Sequence, residues 1–209
     1  MTDIIRDPQA IEAKSFEIID AEVGTHSFST DEWPIVRRII HTSADYDFVM
    51  NTLITKGAVA SALAAIGEGC HIYCDTNMVL AGVNKTRLAE FGCNISCHVA
   101  DPDVAVKAKA EGVTRSIVAL RKGVESGCRI FLIGNAPTAL YELLQLCQDG
   151  KVNPALVVGV PVGFVGAAES KEELVASGLP QITCRGRKGG STIAAAICNA
   201  LVLLAKGGE

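Results

Sequence analysis

The apolar positions change period along the chain, and each change marks an element. Ile11, Ser15, Ile18 and Ile19 share one face at helical spacing. Asp7-Pro8 precedes them, with Asp suited to a helix cap and Pro to the first turn, so a helix is predicted from there through about Glu22. Ser29-Thr30-Asp31-Glu32 has the spacing of a capping box. Behind it Trp33, Val36, Ile39 and Ile40 form the buried face of a second helix, with Arg37 and Arg38 in its last turn and His41 at its end. A small-residue helix over 56–68 is closed by glycines. Short apolar runs at 70–74, 94–99, 129–133, 156–158 and 181–184 then predict strands. Helical stretches lie between them, at 78–82, 104–111, 114–126, 139–148 and from Ala167 onward. The last one, 192–206, is apolar almost all round, which implies burial against the sheet or a subunit interface.

Strands alternate with helices from residue 70 onward. That alternation predicts a single-domain, three-layer α/β fold over 1–209, with a mostly parallel sheet and helices on both faces. The stretch 156–171, LVVGVPVGFVGAAESK, organises the chain: a buried strand, a wall broken by Gly159, Pro161, Gly163 and Gly166, then a new helix. It reads either as a tight strand-to-helix turn or as a ligand-facing wall. Three more strand ends carry polar or glycine-rich turns: Asp75-Thr76-Asn77, Gly134-Asn135-Ala136-Pro137, and the basic run from Arg185 to Ser191. In an open α/β sheet such turns line one crevice at the carboxyl edge of the strands.

Composition narrows the class. A chain of 209 residues, 49% hydrophobic and 20% charged, is globular and long enough for a sizeable core. The net charge of −4 argues against general nucleic-acid binding, while a few gathered arginines still suit an anionic ligand. No apolar run reaches the roughly 18–20 residues that span a bilayer. The N-terminal stretch MTDIIRDPQAIEAKSF lacks the apolar core of a signal peptide, so a cytoplasmic protein is expected. Cys70 and Cys74 with His71, and Cys93 and Cys97 with His98, look superficially like a metal set. In a strand, however, positions four apart lie about 13 Å from one another, so reduced thiols and no metal are expected.

No P-loop, no first-turn G-x-G-x-x-G, no G-x-S-x-G and no H-E-x-x-H occurs. What remains is four histidines, a few arginines and a glycine-lined apolar crevice. These suit a large, flat, apolar ligand with carboxylate arms, histidine serving proton transfer and arginines the carboxylates.

The motifs IRDPQAIEAKSFEII, VRRIIH at 36–41, CDTNMVLAGV at 74–83, TRS at 114–116, IGNAPTAL at 133–140, VGVPVGFVGAAESK at 158–171 and CRGRKGGSTIAAAICNAL at 184–201 resemble the precorrin-8X methylmutase family of corrin biosynthesis, cobalt-precorrin-8 members included. The resemblance covers nearly the whole chain, in order. It implies a homodimeric α/β isomerase that needs no external cofactor. Such an enzyme moves a methyl group from carbon 11 to carbon 12 of precorrin-8X or cobalt-precorrin-8 by a [1,5]-sigmatropic shift, giving hydrogenobyrinate or cobyrinate. It also implies that the catalytic histidine falls on His41, and the substrate-contacting serine and arginine on Ser15 and Arg38. By spacing alone, Ser15 is equally a back-bonded helix serine and His41 a helix-capping histidine.

Further substrate contacts are expected from the strand-end turns and nearby cations: Asn77, Arg115, Gly134, Asn135, Gly163, Gly166, Lys171, Arg185 and Arg187. Asp45 or Asp47, just after the histidine, is a candidate to orient it. Two other classes compete. A tetrapyrrole carrier without turnover would be indifferent to loss of His41, and a flavodoxin-like protein would purify with a nucleotide.

Overall fold

The computed structural model describes residues 5–208; the first four residues of the stretch read as lacking a leader fall outside it. Among the described residues, eleven helices and six strands alternate in the order α1 (Pro8–Val23), α2 (Trp33–Ser43), α3 (Asp47–Asn51), β1 (Thr52–Ile54), α4 (Ala58–Gly67), β2 (His71–Cys74), α5 (Asn77–Gly82), α6 (Lys85–Glu90), β3 (Asn94–Ser96), α7 (Pro102–Glu111), α8 (Arg115–Glu125), β4 (Ile130–Ile133), α9 (Pro137–Gln148), β5 (Leu156–Gly159), α10 (Ala167–Ala176), β6 (Gln181–Cys184) and α11 (Ser191–Ala205). The sheet runs β1-β6-β5-β4-β2-β3, parallel except for β1, which pairs antiparallel with β6.

β4, β5 and β6 are buried along their whole length, as an inner parallel strand covered on both faces must be. Their alternate side chains feed two cores. Ile72, Ile130, Leu132, Leu156, Val158 and Ile182 meet α2, α4 and α11 on one face. Tyr73, Phe131, Ile133 and Val157 meet α9 on the other, together with Leu120 of α8 and Leu174 of α10. α11 lies at the centre of the first face, buried at ten of its positions, which explains why its sequence has no polar side.

The cap predicted at Asp7 forms, accepting the Ala10 N–H at 2.7 Å. Only half of the predicted capping box does: Glu32 accepts the Ser29 N–H at 2.9 Å, but α2 starts at Trp33 and its cap residue Glu32 makes no side-chain cap bond. α2 departs from the sequence expectation: it runs two residues past His41, so Arg37 and Arg38 sit in mid-helix and not in its last turn. It stops because Ala44 turns left-handed, φ 53°, and returns its N–H to Ile40.

Candidate active site

The carboxyl edge of the sheet is joined across four turns. Asp75, wholly buried at the end of β2, accepts the N–H groups of Gly134, Asn135 and Ala136 at 3.1, 2.8 and 2.8 Å. Burial pushes its carboxyl above the ordinary range, although those three N–H groups pull the other way. Thr76 Oγ1 lies 3.1 Å from Ser191 Oγ at the start of α11. Gly134 is pressed so closely onto that helix start that a Cβ there would sit 2.8 Å from Ser191 Cα. The turn after β6 crosses the turn after β5: Gly190 N–H donates to Val160 O at 2.9 Å, and Gly163 N–H to Arg187 O at 3.2 Å.

His41 stands near the end of α2. Its exposed ring stands in an apolar cleft of about 220 Å³ with Ser15, Ile18, Ile19, Ile40, Ala44 and Tyr46. Phe16, on α1, meets the imidazole edge-on at 5.3 Å. The same ring lies 4.3 Å from the Arg37 guanidinium and 5.2 Å from that of Arg38. Asp20 ties the two helices together by accepting from the Trp33 indole and from Arg37, each at 2.9 Å. Thus α1 lies against α2 with Ser15 beside His41. The Ser15 hydroxyl donates to Ile11 O at 2.8 Å, the back-bonded arrangement that spacing alone allowed. Arg38, half-buried, donates to Glu12 at 2.9 Å.

The other candidates divide. Asn77 and Asn135 are exposed on the same edge, as is Arg115, whose helix start is fixed by Thr114 Oγ1 lying 3.1 Å from Thr138 Oγ1. Arg185 and Arg187 are exposed, and the Arg187 guanidinium covers the Phe164 ring at 5.3 Å. Gly163 and Gly166 form the half-exposed wall between Val162 and Ala167. Gly134 is buried under Ser191 and serves the packing of the turns. Gly159 belongs to the core, where a Cβ would lie 2.4 Å from Leu174.

Lys171 is 1% exposed, and its Nζ donates to Lys188 O at 2.7 Å, so it faces inward and does not present itself to a ligand carboxylate. Asp45 and Asp47 do not act on His41 directly: both carboxylates accept from Lys188 Nζ, at 2.5 and 2.7 Å. That contact holds the Asp45 carboxyl below its ordinary value. The roles of Lys188, Phe16 and Asp75 are not assigned from the sequence, although Lys188 and Asp75 stand in two of the strand-end turns it singles out. The signal for Asp75 was present, a carboxylate directly after a buried strand with a Gly-Asn-Ala turn after another.

The cysteines pair across β2 and β3 as the parallel register requires, Cys70 beside Cys93 and Cys74 beside Cys97. Among the described residues no group of three or more His, Cys, Asp or Glu side chains is placed to hold a metal ion, and no helix is long and apolar enough to cross a membrane.

Residues 10–204 match the family model for precorrin-8X methylmutase. A cobalt-precorrin-8 methylmutase of Priestia megaterium is 46% identical over 96% of this chain and 90% of its own length. One of Leptospira interrogans is 47% identical over 95% of each chain. The crystal structure of precorrin-8X methyl mutase from Thermus thermophilus superposes with a TM-score of 0.89 at 43% identity, covering 96% of this chain and 98% of that one. With a family match of that extent, relatives of that identity over nearly the full length, and the same fold in a solved member, the chain belongs to the precorrin-8X methylmutase family.

Proposed function

We propose that this chain moves the methyl group from carbon 11 to carbon 12 of precorrin-8X or its cobalt-bearing counterpart, with His41 as the group that holds the proton. The observation that carries this is the exposed imidazole in an apolar cleft that it shares with Ser15, on a helix that also carries Arg38, paired to Glu12 of the Ser15 helix. A sigmatropic shift transfers nothing to solvent, so the protein's work is to fix one tautomer of the ring in the reactive shape. An imidazole can deliver a proton to a ring nitrogen or the adjacent carbon and hold that tautomer while the methyl migrates. Ser15 keeps lone pairs free to accept from a substrate group, its proton being committed to Ile11 O. Arg38 exchanges Glu12 for a substrate carboxylate, and the exposed Arg115, Arg185 and Arg187 serve further arms.

The working form in this proposal is a homodimer. The cleft, about 220 Å³, is smaller than the roughly 300–1,000 Å³ of ordinary ligand sites, and a macrocycle needs a second wall. Ile11 and Ile18, each 45% exposed on the Ser15 helix, together with Phe164 and Val165 at 81% and 89%, supply the apolar surface that a second copy would cover.

The test is to give wild-type and His41→Ala protein the metal-free and the cobalt-bearing substrate and follow the visible spectrum. Wild type should rearrange at least one of them. His41→Ala should bind it and turn over at least about 100-fold more slowly. Rearrangement at the wild-type rate by His41→Ala refutes the assignment.

A further inference from the structure

The corner that follows His41 is held from the far end of the sequence. Ala44, which closes α2 in a left-handed conformation, is the one non-glycine residue of positive φ among the described residues, and it lines the cleft beside His41. Past it, Ser43 Oγ accepts the Asp45 N–H at 3.2 Å, and Asp45 Oδ1 accepts the Asp47 N–H at 3.0 Å. The corner therefore sets two carboxylates close together between the end of α2 and the start of α3. Lys188 Nζ answers both, at 2.5 Å to Asp45 and 2.7 Å to Asp47. Lys188 is itself anchored: its carbonyl accepts from Lys171 Nζ at 2.7 Å and from Cys184 Sγ at 3.1 Å, both buried residues behind the turn. A continuous path thus joins the core under β6 to Asp45, four positions after His41.

We propose that Lys188 is a positioning residue for the methylmutase reaction: its ammonium clamps the Asp45–Asp47 corner and thereby fixes the direction in which α2 presents His41 to the cleft. The proposal rests on His41 being the proton-holding group. Exposed ion pairs add little to global stability, so variants of the clamp should fold. Reactivity is far more sensitive, because a misplacement of about 1 Å costs on the order of 100-fold in rate.

The experiment compares Lys188→Gln, Lys188→Arg, the double variant Asp45→Asn/Asp47→Asn, the triple variant that combines the double with Lys188→Gln, and His41→Ala. It reads kcat and KM with the rearranging substrate, and the His41 imidazole resonances in the free protein. Lys188→Gln and the Asp double variant should each lower kcat about tenfold or more with KM within about twofold, and both should shift or broaden the His41 ring signals. The triple variant should be no worse than Lys188→Gln, since all three residues act as one device, and Lys188→Arg should recover most of the rate.

Wild-type kcat in Lys188→Gln overturns the clamp. So does a raised KM in Lys188→Gln while the Asp double variant behaves as wild type, because the ammonium would then be binding a substrate carboxylate. His41→Ala separates the two layers. If it is inactive while the Lys188 variants are normal, only the clamp fails; if it is fully active, the assignment of His41 fails and the clamp with it.

Discussion

Replacing Lys171 by Met tests what a buried ammonium does in this fold. Lys171 is 1% exposed, and its partners are a carbonyl, Lys188 O at 2.7 Å, and a thiol, Cys184 Sγ at 3.7 Å, with no carboxylate to neutralise it. Burial pulls its pKa below the ordinary lysine value of 10.5. Met keeps most of the volume and gives up one charge-assisted hydrogen bond, about 1.5–3 kcal/mol. It also removes the desolvation of an unpaired ammonium, which costs several kcal/mol. Lys188 O is not orphaned, because Cys184 Sγ still donates to it at 3.1 Å. At neutral pH, Lys171→Met should therefore lie within about 1 kcal/mol of wild type or above it, whereas Lys171→Ala, which empties the site, should lose about 2–4 kcal/mol.

The pH dependence has a fixed sign. Between the lowered folded pKa and 10.5 the unfolded chain holds more protons at Lys171 than the folded one. Wild type then gains stability relative to the Met variant as pH rises, by at most about 1.4 kcal/mol per pH unit. Urea unfolding at about pH 7 and about pH 9.5 reads both effects, and the titrations common to the two proteins cancel in the comparison. A loss beyond about 2 kcal/mol for Lys171→Met at neutral pH, or a Met variant that gains on wild type as pH rises, refutes this account. A raised KM in that variant would put the ammonium on the substrate instead.

Gly189→Ala should destabilise by about 3 kcal/mol or more, visible as a lowered Tm, because the new Cβ would lie 2.2 Å from Val160 O at a φ of 147°; a Tm within a degree or two of wild type would contradict the crossing of the two turns. Under limited alkylation near neutral pH, mapped by peptide mass, Cys97 should be modified first, since the Cys74 thiol beside it lowers its pKa and it is only half-buried. Cys70 and Cys198, buried and pushed up to about 12, should be modified last, and early labelling of Cys198 would count against the packing of α11.

The elements that the sequence announces are those whose own residues settle them. β4 and β5 are short continuous runs, apolar apart from the closing Gly159, as buried parallel strands favour. The caps at Asp7 and Thr114 are local chemistry, and they form. β1 escapes notice because it is three residues long and exists only through antiparallel pairing with β6, a partner about 130 positions away. α2 overruns its expected end because an alanine supplies the left-handed turn, a role for which composition favours glycine.

The site divides along the same line. His41 and Ser15 are named by motif, and packing across Phe16 brings them into one cleft. Lys171 and Lys188 look alike in the sequence, both cations near glycine turns, yet one is buried and the other bridges two aspartates. Only the fold distinguishes them.

Strand order reverses between β2 and β4, and in open α/β sheets that reversal opens the crevice where phosphates meet free N–H groups. Here the chain fills the crevice itself. The Asp75 carboxylate takes the three N–H groups that a phosphate would use, and Thr76 and Gly134 close the remaining gap against the start of α11. Those N–H groups are therefore not free to hold a phosphate, which counts against a flavodoxin-like nucleotide site at this turn. The same plug stiffens the rim: each turn is bonded to the next, so the edge is a connected surface and not a slot. The exposed Arg185 and Arg187 stand on one of those turns.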